Sequence, residues 1–356
     1  MAKKRIHIQN ALYPLSILYG LGVRFRNRLF DWDILHSETF DIPIICVGNL
    51  TVGGTGKTPH VEYLIRLLSP YYRIALLSRG YKRKTTGFVL ADPTSTPTTL
   101  GDEPYQIKSK FPEIMVAVDA DRRNGIRRLL EQANAPNVIL LDDAFQHRYV
   151  KPGLSIVLSD YNRPFYEDTY LPAGRLREGK SGIKRADLII VSKTPDTTTE
   201  QEIQDIRTDI QNVDKPVFFS TLSYQSLRSV FTDQIDTISR EAVILLVTGI
   251  ANPEPIERYI GQNYKLAHSM VFADHHDFNE TDIRKIADKF KSISNKEKAI
   301  IVTEKDAVRL RHNPFINDYL KENIYFLPLE IVFLHNETNR FNQIILDYVA
   351  ENQRNS

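Results

Sequence analysis

Apolar residues along this chain gather in short runs, most of which end on polar side chains. Ile44–Val47 stops at Gly48-Asn49, Arg73–Ser78 leads into Arg79-Gly80-Tyr81, and Ile114–Val118 leads into Asp119. Val138–Leu141 leads into Asp142-Asp143, Ser155–Leu158 into Ser159-Asp160, and Leu188–Val191 into Ser192-Lys193. Helical spacing separates several of them, as in Pro59–Leu68 and Asp121–Gln132. Short, β-branched runs alternating with helices predict a parallel, doubly wound α/β sheet. Such sheets bind ligands at the carboxyl ends of their strands, so the residues that follow the later runs, Arg79-Gly80-Tyr81, Asp119, Asp142-Asp143, Ser159-Asp160 and Ser192-Lys193, are site candidates by position.

A β-rich stretch, Pro216–Tyr224, and a polar segment, Thr232–Arg240, precede a second series. Ala242–Thr248 leads into Gly249, His268–Phe272 into Ala273-Asp274-His275-His276, and Ala299–Val302 into Thr303-Glu304-Lys305-Asp306. Helices are expected at Pro253–Ile260 and Thr281–Ser292. The expected organisation is an N-terminal helix within 1–30, a first α/β domain over 31–225, and a smaller α/β domain over 226–356. A Leu/Ile-rich helix, Phe341–Glu351, closes the chain and either stays with the second domain or packs back on the first. There are no internal repeats, and Thr94–Thr99 reads as a polar loop.

The strand end after Val47 carries the clearest chemistry. IICVGNLTVGGTGKT, residues 44–58, is a strand, a glycine loop, Lys57-Thr58 and a helix, the order a phosphate-binding loop requires. Glycines let backbone N–H groups approach phosphate oxygens, and the helix N-terminus adds partial positive charge. Thr51, Val52, Gly53, Gly54, Thr55 and Gly56 then form the cradle. Lys57 reaches the outer phosphates, and the Thr58 hydroxyl is placed to hold Mg²⁺. The strict pattern G-x-x-x-x-G-K-[ST] wants glycine at position 51, where this chain has Thr51, so the turn falls to Gly48 or Gly53.

Asp142-Asp143 closes an apolar strand in the manner of a second nucleotide motif, whose carboxylate holds Mg²⁺ directly or through water. Gln146, His147 and Arg148 follow at once. Gly101-Asp102-Glu103-Pro104 is a turn before a helix expected at Tyr105–Lys110, and on local grounds its acids read first as a helix cap. Asp274-His275-His276-Asp277 fits a metal site, a tuned base or, taken alone, a surface loop. Basic residues cluster at Arg122, Arg123, Arg127 and Arg128, and again at Arg175, Arg177, Lys180, Lys184 and Arg185. The later members of each cluster read as a solvated face; those within LPAGRLREG suit an anionic substrate.

Composition narrows the classes. The 356 residues are 42% apolar and 25% charged, which is globular, and length alone favours two domains. A net charge of +2 implies no wholesale nucleic-acid partner. The single cysteine, Cys46, lies inside the first strand and supports no disulfide framework. Lys3, Lys4 and Arg5 precede an apolar run, Ala11–Val23, and Arg24, Arg26 and Arg28 follow it. That run is too short to span a bilayer. Basic residues stand where a signal-peptide cleavage site belongs, and a nucleotide loop needs cytoplasmic ATP. Two readings remain from composition: an interfacial helix with arginines on anionic head groups, or a plain helix packed on the domain.

GNLTVGGTGKTP, LSRGYKRKTTG, GDEP, DDAFQHR, LPAGRLRE, DLIIVSK, FADHHDF and TEKDAVRL occur in that order. Together they resemble the tetraacyldisaccharide 4′-kinase family of lipid A synthesis, from the N-terminal helix to about residue 310. The resemblance implies a P-loop NTPase-like, doubly wound parallel sheet (α/β/α), a second, smaller α/β/α domain, and an active site in the cleft between them. It implies transfer of the ATP γ-phosphate, with Mg²⁺, to the 4′-hydroxyl of a tetraacylated glucosamine disaccharide 1-phosphate. It also implies an N-terminal membrane-associating helix on the cytoplasmic face of the inner membrane, favouring the interfacial reading. By position, Lys57 and Thr58 match the residues on phosphates and Mg²⁺, and Asp142 and Asp143 match the acidic pair near metal and nucleotide. Asp102 matches the base, His275 the histidine paired with it, and Glu103, Gln146 and Arg177 further residues lining the site. Ala144 departs from a family that often has glycine there.

The principal alternative is a P-loop GTPase or partition-type ATPase acting as a switch. A GTPase needs N-K-x-D after a strand, and Ser192-Lys193-Thr194-Pro195 has proline in place of the aspartate. Thr303-Glu304-Lys305-Asp306 has the wrong spacing, and Val52 occupies the place of the partition-type lysine.

Overall fold

A computed structural model describes residues 9–210, 214–232, 234–235, 238–250, 252–274 and 276–353. Two compact units share the chain: Met1–Leu222 with Ile331–Ser356, and Ser223–Glu330.

The first unit begins with α1 (Tyr13–Asp31), which outruns the apolar stretch that announced it and continues through Arg24, Arg26 and Arg28. There follow β1 (Ile44–Asn49), α2 (Lys57–Leu68), β2 (Ile74–Ser78), β3 (Val89–Leu90), α3 (Pro97–Leu100) and α4 (Asp102–Lys110). Next come β4 (Met115–Val118), α5 (Arg122–Leu130), β5 (Val138–Asp142), β6 (Leu154–Asp160), β7 (Leu188–Ser192), α6 (Glu200–Asp209) and β8 (Val217–Tyr224). The stretch expected as a polar loop at 94–99 instead contains α3, because Thr96 and Thr99 form a reciprocal capping box around Pro97.

The second unit carries β9 (Arg228–Ser229), β10 (Val243–Thr248), α7 (Glu254–Asn263), β11 (Lys265–Val271), α8 (Glu280–Lys291), β12 (Lys298–Thr303), α9 (Glu304–Leu310), α10 (Asp318–Lys321) and β13 (Ile324–Leu327). Its five strands run in the order β11-β10-β12-β13-β9, parallel except for β9. Val247, Ile283, Phe290, Ile300 and Val302 fill one of its two cores.

The chain then returns to the first unit through β14 (Leu329–Phe333) and α11 (Thr338–Gln353). The sequence range 226–356 thus differs from the observed unit at its C-terminal end. Phe341, Ile345 and Val349 of α11 are buried with Ile45, Val61 and Phe218 of the first unit. Each such buried apolar side chain is worth roughly 1.5–3 kcal/mol.

The nine-stranded sheet of the first unit has the order β14-β8-β7-β6-β1-β5-β2-β4-β3, and β1 lies between β5 and β6, parallel to both. Alternate residues of β1 serve opposite faces: Ile45 and Val47 join one core, Ile44 and Cys46 the other. Burial pushes the Cys46 thiol up to about 12, so it stays protonated and inert. Val47 pairs with Asp142, and Asn49 with Leu158, which brings the glycine loop and the acidic pair to the same edge of the sheet. Among the described residues no helix is long and apolar enough to cross a membrane.

Candidate active site

The chain leaves β1 through Asn49, which is fully buried. It then runs straight before turning. Thr51 bridges Leu176 in antiparallel fashion, Val52 N–H donates to the Arg175 carbonyl at 2.8 Å, and Arg177 N–H donates to the Leu50 carbonyl at 2.8 Å. The segments GNLTV and AGRLRE therefore form one small ribbon. The turn falls on Gly53, whose φ of +112° favours glycine. Gly48 does not share it, because it lies within β1, where a Cβ would meet that of Phe145 at 2.5 Å. Gly56, at φ +83°, is the N-cap of α2. The first turn of α2 contains no acid, and no side chain caps it, so the helix presents Lys57 and Thr58 on an uncompensated positive end. Gly54 and Thr55 complete the loop, and Asn49 Nδ2 donates to Thr55 Oγ1 at 2.8 Å.

Lys57 Nζ lies 3.4 Å from Asn49 Oδ1 and 3.6 Å from Asp143 Oδ1. Arg177 grips Asp143 with both terminal nitrogens, at 3.1 and 2.6 Å, and also donates to Asn49 Oδ1. Burial pushes the Asp143 carboxyl up, but Lys57 and Arg177 outweigh it and hold it below the ordinary range. Asp142 behaves oppositely. Burial first, then the charges of Asp143 and Glu103, push it up to about 6 against Lys57 and Arg122. Its Oδ2 accepts from Ser78 Oγ at 3.5 Å, while its Oδ1 is sealed from solvent without a hydrogen-bond partner. Two adjacent carboxyls thus shift in opposite directions, because the cations outweigh burial only at Asp143.

Asp102 and Glu103 begin α4, one turn earlier than the helix expected at Tyr105. Neither is the cap that local sequence suggested: the N-cap is Gly101, at φ +92°, where a Cβ would lie 2.8 Å from the Tyr81 carbonyl. The acids sit inside the first turn of the helix. Gln146 Nε2 donates to the Asn49 carbonyl at 2.7 Å and to Glu178 Oε1 at 2.8 Å, so it ties the loop's base to the ribbon. Arg185, expected on a solvated face, is instead paired with Glu178 and lies 4.2 Å over the Phe145 ring. Arg127 and Arg128 do stay exposed, on Glu38 and Glu131.

α1 joins this shell. Arg26 Nη2 donates to the Gln146 carbonyl at 3.1 Å, and Tyr19 Oη to the Arg177 carbonyl at 3.0 Å. Ser16, Gly20 and, at its C-terminal end, Phe30 form its buried side, while Leu15, Leu18 and Phe25 are 54%, 66% and 63% exposed. Up to Phe25 this is an inverted amphipathic helix: small residues face the protein and large apolar ones face outward.

His275 lies outside the described residues. In the second unit the residues on either side of it in sequence are held by α9: Lys305 Nζ pairs with Asp274 at 2.9 Å, and Arg309 Nη1 donates to the His276 carbonyl at 2.5 Å. His276 Nε2 meets Asp282 at 2.8 Å. TEKDAVRL is thereby a clamp on the FADHHDF loop. Among the described residues no three His, Cys, Asp or Glu side chains gather as a ready-made metal cage.

The structure brings Lys57, Asp143, Arg177 and Gln146 together around Asn49, a residue not singled out from the sequence. Its signal was its place at the end of the strand before the loop. Glu178 is also absent from the sequence reading: it lies in LPAGRLRE, a motif read for its arginines, and is buried.

Comparison with known proteins agrees with this geometry. The family model described as tetraacyldisaccharide-1-P 4′-kinase matches residues 8–350. Relatives named tetraacyldisaccharide 4′-kinase include one from Phocaeicola vulgatus, 48% identical over 99% of this chain and 98% of its own length. Another, from Parabacteroides distasonis, is 48% identical over 98% and 97%. The "apo" form of LpxK from Aquifex aeolicus, solved in complex with ATP, superposes with a TM-score of 0.73 at 29% identity, covering 95% of this chain and 98% of that one. The chain belongs to the tetraacyldisaccharide-1-P 4′-kinase family.

Proposed function

We propose that this chain transfers the γ-phosphoryl group of ATP to the 4′-hydroxyl of a tetraacylated glucosamine disaccharide 1-phosphate. The observation that carries the reading is Lys57 at the uncapped start of α2, sharing Asp143 and Asn49 with the Arg177 fork. Phosphoryl transfer is largely positioning and charge neutralisation, and these two cations are placed to supply both.

In this reading the N–H groups of Gly53, Gly54, Gly56 and Lys57 hold the phosphates, since those of Val52 and Thr55 are taken by the Arg175 and Gly53 carbonyls; Lys57 spans the outer phosphates, and Gln146 keeps the loop's base in place. The acceptor oxygen bonds to the γ-phosphorus as the bond to the β,γ-bridging oxygen breaks, and ADP departs. The hydroxyl proton passes to the Asp102 carboxylate, with His275 as its partner. Arg177 then exchanges part of its bond to Asp143 for the charge that develops on the transferred group. Asp142, Asp143, Glu103 and Thr58 are the residues that would hold Mg²⁺. The sealed, unpaired Oδ1 of Asp142, on a carboxyl pushed up to about 6, is a group that a divalent cation satisfies. Mg²⁺ commonly binds one or two carboxylates along with substrate phosphates, and would neutralise charge between the β and γ groups.

The substrate is a glycolipid, and two features support access to it from a membrane surface. The exposed apolar side of α1 suits the acyl boundary of a bilayer, with Arg24 and Arg28 for anionic head groups. A cavity of about 620 Å³ is lined by Tyr13, Ile17, Leu21 and Arg24 of α1 together with Tyr170 and Lys180. The reading places the protein peripherally on the cytoplasmic face of the inner membrane.

The test is product formation. Purified protein with ATP, Mg²⁺ and the disaccharide 1-phosphate in mixed micelles should yield a glycolipid with one added phosphate, mapped to the 4′ position. Rapid ATP hydrolysis without acceptor, and no phosphorylated lipid with it, would favour the switch reading instead.

A further inference from the structure

The glycine loop is anchored from behind by a set of side chains that the proposed chemistry does not use. Three consecutive carbonyls each receive a side-chain donor. Lys193 Nζ donates to the Gly54 carbonyl, Ser192 Oγ to the Thr55 carbonyl at 2.8 Å, and His60 Nδ1 to the Gly56 carbonyl at 2.7 Å. The donors come from two elements. Ser192 ends β7 and Lys193 follows it, in a left-handed conformation with φ +57°. His60 lies one turn into α2, and its Nε2 accepts from Ser220 Oγ of β8 at 2.9 Å.

Each anchor is itself fixed. Lys193 Nζ also pairs with Asp160 Oδ2 at 2.7 Å, at the end of β6. Ser220 lies where its own carbonyl accepts from Thr194 N–H at 2.9 Å, so β7 and β8 move together. His60, Ser192 and Ser220 are all buried. The imidazole is neutral, because burial pushes it down to about 4. A neutral ring with Nδ1–H on a carbonyl leaves Nε2 as an acceptor, which matches the serine hydroxyl it meets.

The consequence is orientation. In a trans peptide the C=O and the following N–H point in opposite directions. The Thr55 carbonyl, held by Ser192 at the end of β7, therefore turns the N–H of Gly56 toward the open side of the loop; the Gly56 carbonyl, which accepts from both the N–H and Nδ1 of His60, turns the N–H of Lys57 away from the body of α2. Glycines at 53, 54 and 56 leave this backbone free to flip, and a flipped peptide would offer a carbonyl oxygen to a phosphate. The usual P-loop glycine is missing at position 51, so the loop depends more on outside support.

We propose that His60, Ser192 and Lys193 are positioning residues that lock the carbonyls of the glycine loop outward, and so set the affinity of the site for the triphosphate of a nucleotide. This rests on the nucleotide reading above and adds to it a set of residues that never touch the ligand.

The test uses the full chain and the non-hydrolysable ATP analogue AMP-PNP with Mg²⁺, followed by calorimetry and by KM measurements for ATP and glycolipid. His60→Leu and Ser192→Ala should each weaken AMP-PNP binding about tenfold and raise the KM for ATP in step, with the glycolipid KM unchanged. His60→Asn, which keeps an N–H donor near the place of Nδ1, should restore affinity to within about threefold. His60→Leu leaves Ser220 buried without its partner, so the His60→Leu/Ser220→Ala pair is included. It should regain thermal stability yet bind AMP-PNP as weakly as His60→Leu alone, because a doubly apolar replacement repairs the orphaned hydroxyl but not the carbonyl lock. Wild-type affinity in His60→Leu and Ser192→Ala would overturn the proposal. So would a fall in kcat with both KM values unchanged, the mark of a smaller folded fraction. Wild-type protein that does not bind AMP-PNP would overturn the nucleotide reading, and the lock with it.

Discussion

Replacing Asp142 by asparagine should stabilise the nucleotide-free protein at alkaline pH while abolishing its activity. The Asp142 carboxyl is pushed up to about 6 from an ordinary 3.8, chiefly by burial and then by Asp143. A carboxyl whose folded pKa lies above its unfolded value binds its proton more tightly in the fold. Its stabilising contribution is complete below about pH 4 and is lost as pH rises through about 6. At 1.4 kcal/mol per tenfold, the distance from 3.8 to about 6 corresponds to about 3 kcal/mol. The residue keeps an edge open to solvent, although its Oδ1 is sealed, so about 2 kcal/mol is the expected size. For a unit of this length that is roughly 4–8 °C in Tm. The assay is thermal unfolding of wild type and Asp142→Asn in EDTA, between about pH 4 and pH 8. The difference should be small at the acid end and grow in favour of the variant above about pH 6. Phosphoryl transfer should meanwhile fall by at least about 100-fold. A stability difference that does not change with pH would refute the argument that Asp142 carries an unrelieved buried charge.

Other expectations follow from the same geometry. Arg177→Met removes the fork from Asp143 and should lower kcat about 100-fold or more, checked by steady-state kinetics; a change confined to the glycolipid KM would place Arg177 on the acceptor alone. Asp102→Ala and His275→Ala should each lower turnover about 100-fold or more while AMP-PNP binding, read by calorimetry, persists; full turnover in both would remove the proposed base. Leu18→Glu with Phe25→Glu places charge on the exposed side of α1. Co-sedimentation with anionic vesicles should weaken about tenfold or more at unchanged Tm, and unaltered sedimentation would put the membrane contact elsewhere.

Strands whose both faces are buried were legible from the sequence because they read as continuous apolar runs. Ile44–Val47 and Val138–Leu141 are such cases, and the polar residues that follow them lie at the site edge of the sheet. The glycine loop was legible for the same reason, since strand, glycines, Lys57-Thr58 and helix are local in sequence. What was not legible depends on contacts distant along the chain. Asn49 looked like a strand terminus, yet it gathers Lys57, Arg177 and Gln146 from three separate segments. Arg185 belongs to a basic run that any helical or loop reading sends to solvent; only the fold supplies Glu178 and the Phe145 ring. The return of α11 to the first unit was one of the two placements open from the sequence; what decides it is distant, because Phe341, Ile345 and Val349 meet Ile45 and Val61 nearly three hundred residues upstream. α6 was missed despite a local cue, the Thr199–Glu202 capping box, because its polar face dilutes the apolar period.

The central claim is that the loop ending in Lys57 grips a nucleotide triphosphate, and a crystal structure with AMP-PNP and Mg²⁺ tests it most directly. The account predicts β- and γ-phosphates lying against the start of α2, with Lys57 Nζ on the outer oxygens and Asp142 or Asp143 beside the ion. A triphosphate bound elsewhere, or a loop left empty at saturating analogue, would contradict it.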